Sequence, residues 1–321
     1  MSDMAYRPLG DSGLMVSVVG LGCNNLGRAK TRTQTVEGSQ EVIDAALDAG
    51  ITLFDVADIY GGEPGLSEEI LGRCLAGRRD DVIVATKFGM DMRGANGPDF
   101  GARGSRRYIR KAVEASLRRL GTDHIDLYQY HVPDDVTPIE ETLAALDELV
   151  REGKVRYIGS SNFAGWQVVE AEYTARAGGG ARFISAQNYY NLMHRGPEAE
   201  LLPACQAYGV GFLPYFPLAN GLLTGKYRRD EQPPAGTRIG DSKRSVHADA
   251  DWDTIEAIRG FADQRGLSML QVAIGGLAAQ PTVASVIAGA TAPDQVRTNV
   301  EAGNWTPEPS DLDTLDEITR P

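Results

Sequence analysis

The feature that most constrains this chain is an alternation. Short β-branched or apolar runs are each followed by a stretch of helical periodicity, again and again along 321 residues. A possible hairpin (6–9 and 15–19, joined by Gly10-Asp11-Ser12-Gly13) precedes the first buried strand near 18–22. Gln40, Val42, Ile43, Ala46 and Leu47 then recur at helical spacing over 39–49. A strand at 52–55 follows, and a helix that Ser67 would open, with Glu68 and Glu69 in its first turn. The same rhythm predicts strands at 82–87, 125–130, 155–160, 183–187, 210–215 and 284–288. Helices are predicted at 105–120, 138–152, 165–177, 197–208, 251–265, 268–279 and from Pro293. Repeated β-α units with buried strands imply a parallel sheet, and eight of them close an α/β (β/α)8 TIM barrel. The competing topology is a doubly wound sheet. Against it, no GxGxxG opens the first helix.

No composition shift divides the chain, so residues 1–321 read as one domain. The Gly/Pro/charge-rich segment 216–250 breaks the rhythm. At that length it is either disordered or a lid over a ligand.

Charge and cysteines narrow the class. A net charge of −12 argues against nucleic acid or an anionic membrane as the main partner. Cys23, Cys74 and Cys205 contain no CxxC pair and read as reduced thiols. The first residues show no basic n-region and no apolar h-region, and no apolar stretch is long enough to span a bilayer. A cytoplasmic protein is the expectation, with oligomeric state open.

Barrels of this kind build their sites at the C-terminal ends of the strands. Those ends carry Asp55, Lys87, His131, Ser161, Asn162, Gln187 and Tyr215, with Tyr60 five residues past Asp55. A lysine ending an apolar strand is costly without an anionic partner, and Asp55 ends the neighbouring strand. A tyrosine beside that lysine is expected to have its pKa lowered toward neutrality, giving a general acid. A neutral His131 can hydrogen-bond a carbonyl oxygen. His124, His194 and His247 lack this context and show no metal-ligand spacing. A metal-dependent barrel hydrolase or lyase needs clustered ligands at strand ends, and only one such histidine is present.

The loops after the seventh and eighth strands commonly hold phosphate in barrels. Here they are 215–227 and 288–292, rich in small residues that admit backbone N–H groups to phosphate, with Lys226 as a cation. The substrate pocket is expected to involve Asn24 and Asn25, Phe88, and the 88–103 loop with Met90, Met92 and Phe100, under the 216–250 lid.

The run from Asp55 to Tyr60 carries one part of a family resemblance, and Ala85-Thr86-Lys87-Phe88 another. Tyr128-Gln129-Tyr130-His131 and Ile158-Gly159-Ser160-Ser161-Asn162-Phe163 complete it. Together and in this order they resemble the aldo/keto reductase superfamily, from Gly20 to Asn299. The resemblance implies a barrel whose hairpin closes the N-terminal end. It implies NAD(P)H-dependent reduction of an aldehyde or ketone by a tetrad of Asp55, Tyr60, Lys87 and His131. It further implies that Ser161, Asn162 and Gln187 hold the nicotinamide carboxamide and that Tyr215 stacks on the ring. Pro217, Leu218, Gly221 and Leu223 would lie along the pyrophosphate. Lys226, Arg238, Gly289, Ala290, Thr291, Gln295 and Asn299 would meet the adenosine half. Members preferring NADPH usually carry a cation in the stretch matching 289–295; this chain has none there. NADP(H) is the expected cofactor, with NAD(H) as the alternative. Some barrels of this family act as cofactor-binding regulatory subunits with little turnover, which is the second functional expectation.

Overall fold

The structure is a computed structural model and describes residues 4–242 and 244–320. A hairpin of β1 (Tyr6–Pro8) and β2 (Met15–Ser17) comes first. Units follow of β3 (Val19–Gly22) and α1 (Val36–Asp48), β4 (Leu53–Asp55) and α2 (Leu66–Cys74), and β5 (Ile83–Phe88) and α3 (Arg106–Leu120). Next are β6 (Ile125–Tyr130) and α4 (Ile139–Arg151), β7 (Val155–Ser161) and α5 (Gly165–Gly178), and β8 (Phe183–Tyr189) and α6 (Leu201–Tyr208). The chain continues through β9 (Gly211–Tyr215), α7 (Arg238–Ser242), α8 (Arg244–Ala248), α9 (Trp252–Gln264), α10 (Met269–Ala278) and β10 (Val286–Gly289). It ends in α11 (Pro293–Gly303) and α12 (Pro309–Thr319). Strands β3 to β10 are parallel and close in the order β10-β3-β4-β5-β6-β7-β8-β9. This is the (β/α)8 barrel, and the doubly wound alternative is set aside.

The hairpin plugs the barrel floor. Leu9 and Val16 pack with Leu53, Ala85, Leu127 and Leu213, which point into the barrel from four strands. The plug demands glycine at its tip. Gly10 has φ +59°, and a Cβ there would sit 2.4 Å from the Gly209 carbonyl oxygen. With the floor sealed by apolar side chains, polar inward residues are left to the opposite, C-terminal end of the strands.

Helix ends follow local chemistry. Ser105 caps α3 through the Tyr108 N–H, and Gly121 ends that helix at φ 63°. Ser268 caps α10 in a reciprocal pair with Gln271. The expectation that Ser67 opens α2 is corrected. Gly65, at φ 93°, precedes the helix, and the Ser67 hydroxyl instead donates to the Cys23 carbonyl at 2.7 Å. Arg119 packs where a Gly65 side chain would stand, so a capping serine there would clash. Helix α12 lies beyond the predicted elements; Leu315 buries its inner face in the cluster that α9 and α10 build.

The described residues of 216–250 include several that pack against the helices that follow. Leu222, Leu223, Tyr227 and Ile239 pack into the cluster formed by Ile255, Ile258 and Phe261 of α9 and Val272 of α10. Burial of several large apolar groups, each worth about 1.5–3 kcal/mol, anchors this segment beside the barrel mouth.

Candidate functional site

Strand pleating decides which residues face the barrel axis. Ala85 and Lys87 point inward from β5, so Thr86 and Phe88 point outward. Lys87 pairs across the ladder with Gln129, and Ser161 with Gln187. The inward row at the C-terminal end therefore brings together Asp55, Lys87, His131, Ser161 and Gln187 from five strands, although they span 132 positions between Asp55 and Gln187.

Lys87 and Asp55 are buried at the base of this row. The Lys87 ammonium donates to both Asp55 carboxylate oxygens, at 2.7 and 2.8 Å, and to the Val56 carbonyl at 2.9 Å. All three of its donors are used, which is what a dry ammonium requires. Burial works against the Lys87 charge, but Asp55 and Tyr60 outweigh it and the pKa rises. Tyr60 stands on the far side of the ammonium. Its ring centroid is 5.0 Å from Nζ. His131 meets the Tyr60 ring edge-on at 5.8 Å. Burial, then the nearby Lys87, pushes the His131 pKa well down, so the imidazole is neutral.

One electrostatic expectation is reversed. The Tyr60 pKa is raised, because burial of the phenol outweighs the Lys87 ammonium and Asp55 adds to the rise. A desolvated site disfavours phenolate more than one cation, already satisfied by a carboxylate, can repay. Tyr60 is thus a protonated hydroxyl throughout the neutral range.

A ring of amides surrounds this core. Asn162, in left-handed conformation at φ 58°, donates to the His131 carbonyl (3.0 Å) and the Ser161 hydroxyl (3.1 Å). Its Oδ1 accepts from the Tyr215 hydroxyl at 2.8 Å. Gln187 donates through Nε2 to Asp55 at 2.8 Å, a bond the sequence did not announce. Ser161 keeps its O–H as a donor, and Gln187 keeps Oε1 as an acceptor. That pair matches the carbonyl and amine of a carboxamide, so the residues present fit a nicotinamide. Tyr215 is backed by the Tyr189 ring at 5.8 Å, and Tyr189 by His194 at 4.3 Å. Tyr189 was missed, although it lies two residues past Gln187 on the same strand and so on the same face. His194, read as uninvolved, belongs to this stacked series behind Tyr215.

The loop after β9 is strongly curved. Phe216, Ala219, Asn220 and Gly221 all have positive φ, and the turn is closed by the Ala219 N–H donating to the Phe216 carbonyl at 3.1 Å and the Gly221 N–H to the Leu218 carbonyl at 2.7 Å. Pro217 is buried, Leu218 is half-buried, and Leu223 is buried in the α9–α10 cluster. Lys226 reaches back along this loop, its Cε 3.9 Å from where a Gly221 side chain would begin. Arg238 lies over the Phe216 ring at 5.1 Å. On the opposite rim, Gly289 is open and approached by Asn24 and Asn25, and Ala290 is buried. Gln295 turns back to accept from the Thr291 N–H at 2.8 Å. Asn299 is buried on α11, and Arg297 is held by Asp294 at the surface.

Three expectations for the substrate pocket change. Phe88 is stacked on Tyr130 at 5.0 Å and tilted on Tyr128 at 4.8 Å, outside the barrel. The alternation that sends Lys87 inward sends its neighbour out. Met92 is buried and Phe100 is 81% exposed, so the 88–103 loop presents no continuous apolar wall made by these two residues. Met90 stands partly exposed at the rim. Among the described residues no group of three or more His, Cys, Asp or Glu is arranged to hold a metal ion. No helix among them is long and apolar enough to cross a membrane.

Comparison with known proteins shows the family. The aldo/keto reductase family model matches residues 18–320. The chain is 36% identical to versiconal hemiacetal acetate reductase of Aspergillus parasiticus, over 98% of this chain and 96% of that protein. It is 35% identical to L-glyceraldehyde 3-phosphate reductase of Escherichia coli (strain K12), over 94% and 88%. It is 34% identical to the "Probable voltage-gated potassium channel subunit beta" of Oryza sativa subsp. japonica, over 99% and 97%. With an eight-stranded barrel, a buried Asp55–Lys87 pair beside Tyr60, and a family match across nearly its whole length, the chain is an oxidoreductase that belongs to the aldo/keto reductase family.

Proposed function

We propose that this protein reduces an aldehyde or ketone to an alcohol with NADPH, using Tyr60 as the proton donor. The observation that carries the reading is the Lys87 ammonium, clamped by both Asp55 oxygens and facing the Tyr60 ring at 5.0 Å. The cofactor, when bound, supplies hydride from the nicotinamide C4 to the carbonyl carbon. The protein supplies the rest. Neutral His131 donates a hydrogen bond to the carbonyl oxygen and holds it against the Tyr60 hydroxyl. As the carbonyl π bond breaks, the Tyr60 O–H gives its proton to that oxygen. The phenolate left behind is stabilised by Lys87, whose own charge is held by Asp55. Because Tyr60 is protonated at neutral pH, it is ready to act as an acid without first taking up a proton.

Ser161 and Gln187 fit the carboxamide of the ring, and Tyr215 its open face. The loop at 217–223 and Lys226 are assigned to the pyrophosphate. For the 2′-phosphate we assign Arg238, since 289–295 has no cation. The substrate class is a small carbonyl compound, consistent with the reductases named above. Buried, unpaired thiols at Cys23, Cys74 and Cys205 fit a reducing compartment such as the cytosol.

The test is turnover of 4-nitrobenzaldehyde by Tyr60→Phe. We expect kcat to fall about 10³-fold with NADPH affinity, read by fluorescence quenching, nearly unchanged. Full activity in that variant would remove Tyr60 from the mechanism. The channel-subunit relative supports a second reading, a cofactor-binding regulatory barrel. That reading requires wild-type turnover no faster than Tyr60→Phe.

A further inference from the structure

Behind the Asp55–Lys87 pair lies a second buried polar chain that the proposed chemistry does not use. It begins at Asp58, two residues before Tyr60. Asp58 is fully buried, and its Oδ2 accepts from Asn96 at 3.1 Å. Its Oδ1 has no hydrogen-bond partner among the described residues. Its backbone N–H donates to the Lys87 carbonyl at 3.2 Å. Asn96 comes from the β5–α3 loop and is itself buried. Its Oδ1 accepts from Arg119 of α3 at 3.0 Å, and its amide also faces the Tyr108 hydroxyl at 3.4 Å. Arg119 donates to Glu68 of α2 at 2.6 Å. The other Glu68 oxygen accepts from Thr86 at 2.6 Å, next to Lys87 on β5. The chain thus leaves the loop that carries Tyr60, crosses to the β5–α3 loop, and returns to the strand that carries Lys87.

Two carboxyls share one guanidinium in a dry region, an arrangement that leaves one of them without a counter-charge. Burial, and then Glu68, pushes the Asp58 pKa well up, against weaker opposition from Arg119 and Asn96. The Tyr128 hydroxyl of β6, also buried, completes the groups around it. Burial thus favours the uncharged form of Asp58, and its geometric contribution is the hydrogen bond between two loops. A buried acid retained in this state, with one oxygen unsatisfied, is a cost that packing alone does not explain.

We propose that Asp58 and Asn96 are positioning residues of the reductase. Their hydrogen bond fastens the Tyr60 loop to the β5–α3 loop, and the ordering of that loop over bound substrate sets how closely Tyr60 approaches Lys87 and the carbonyl oxygen. This rests on the reading of Tyr60 as the proton donor. A displacement of about 1 Å at the reacting atoms can cost 10²-fold in rate, so a fastening two residues away has leverage on kcat.

The experiment compares Asp58→Ala, Asn96→Ala, Asp58→Asn and Tyr60→Phe on 4-nitrobenzaldehyde, with the NADPH Kd measured for each. Asp58→Ala and Asn96→Ala are expected to lower kcat about 10-fold or more, with the NADPH Kd unchanged and the double variant no slower than either single one. Asp58→Asn keeps a neutral acceptor toward Asn96 and is expected to recover kcat to within about twofold of wild type. Wild-type kcat in both alanine variants, with Tyr60→Phe inactive, overturns the positioning role and leaves the Tyr60 reading intact. So does an Asp58→Asn variant as slow as Asp58→Ala. Full activity in Tyr60→Phe removes the reading itself. Should Asp58→Ala not fold, Asn96→Ala together with Asp58→Asn decides on the same split.

Discussion

The two ends of the candidate cofactor groove are built differently. At the candidate reacting end, Asp55, Lys87, His131, Ser161 and Gln187 lie on strands or at a strand end and are buried, and Asp55 is gripped by both Lys87 and Gln187. At the far end, Arg238 begins a five-residue helix, Gly289 ends strand β10, and Lys226 and Gln295 stand on a loop and in a helix's first turn near solvent. The first end is rigid because the barrel ladder fixes each Cα and burial makes every unpaired charge expensive. The second can change its residues at little cost to the fold. On the proposed function, chemistry falls where the scaffold is stiff and cofactor choice where it is not.

The sharpest way to break this contrast is Lys87→Met. It leaves Asp55 buried without its cation, and we expect a stability loss of about 3–5 kcal/mol together with a kcat drop of about 10³-fold. Denaturant melts and steady-state rates read both. A variant that stays as stable as wild type would show that the pair is not dry. At the far end, Arg238→Ala is expected to weaken NADPH about 10- to 100-fold, equivalent to about 1.5–3 kcal/mol, and NADH hardly at all. An equal loss for both cofactors would mean that this cation does not read the 2′-phosphate.

The histidine gives a pH test of rigidity. In the unfolded chain His131 titrates near 6.5, and in the folded protein well below that. Above the unfolded value both states are neutral and nothing is lost. As pH falls below it, the unfolded state binds a proton that the folded state refuses. Stability then declines by up to about 1.4 kcal/mol per pH unit. His131→Gln should flatten that part of the profile, and an unchanged slope would place the proton elsewhere. The smallest effect is expected from Phe88→Leu, about 1 kcal/mol of stability with KM unchanged across aldehydes of increasing size. A size-dependent KM would return Phe88 to the pocket.

Much of the reacting end was legible in the chain. A lysine closing an apolar strand, an aspartate closing its neighbour and a histidine closing a third are informative because a barrel gathers strand ends. The period-2 pattern even contained the correction for Phe88, since a residue beside an inward lysine must face out. Asn96 and Gln187 were harder. Their partners lie 38 and 132 positions away, and nothing local marks either bond. The Tyr60 pKa was misjudged for a related reason. The attraction of a nearby cation can be guessed from neighbours in sequence, whereas the desolvation that outweighs it depends on everything packed around the ring.

The alternation of apolar runs, their spacing and the residues at their ends determined the barrel and singled out Tyr60, Lys87, Asp55 and His131 as candidates. These follow from periodicity and from the cost of burying charge, both of which are local. Only the tertiary structure decided which way Phe88 faces in practice, that Gln187 grips Asp55, that Asp58 is tied to Asn96, and that Arg238 lies over Phe216. Each of these depends on how far apart two loops or strands come to rest once the barrel has closed, and that distance is a property of the whole packed molecule.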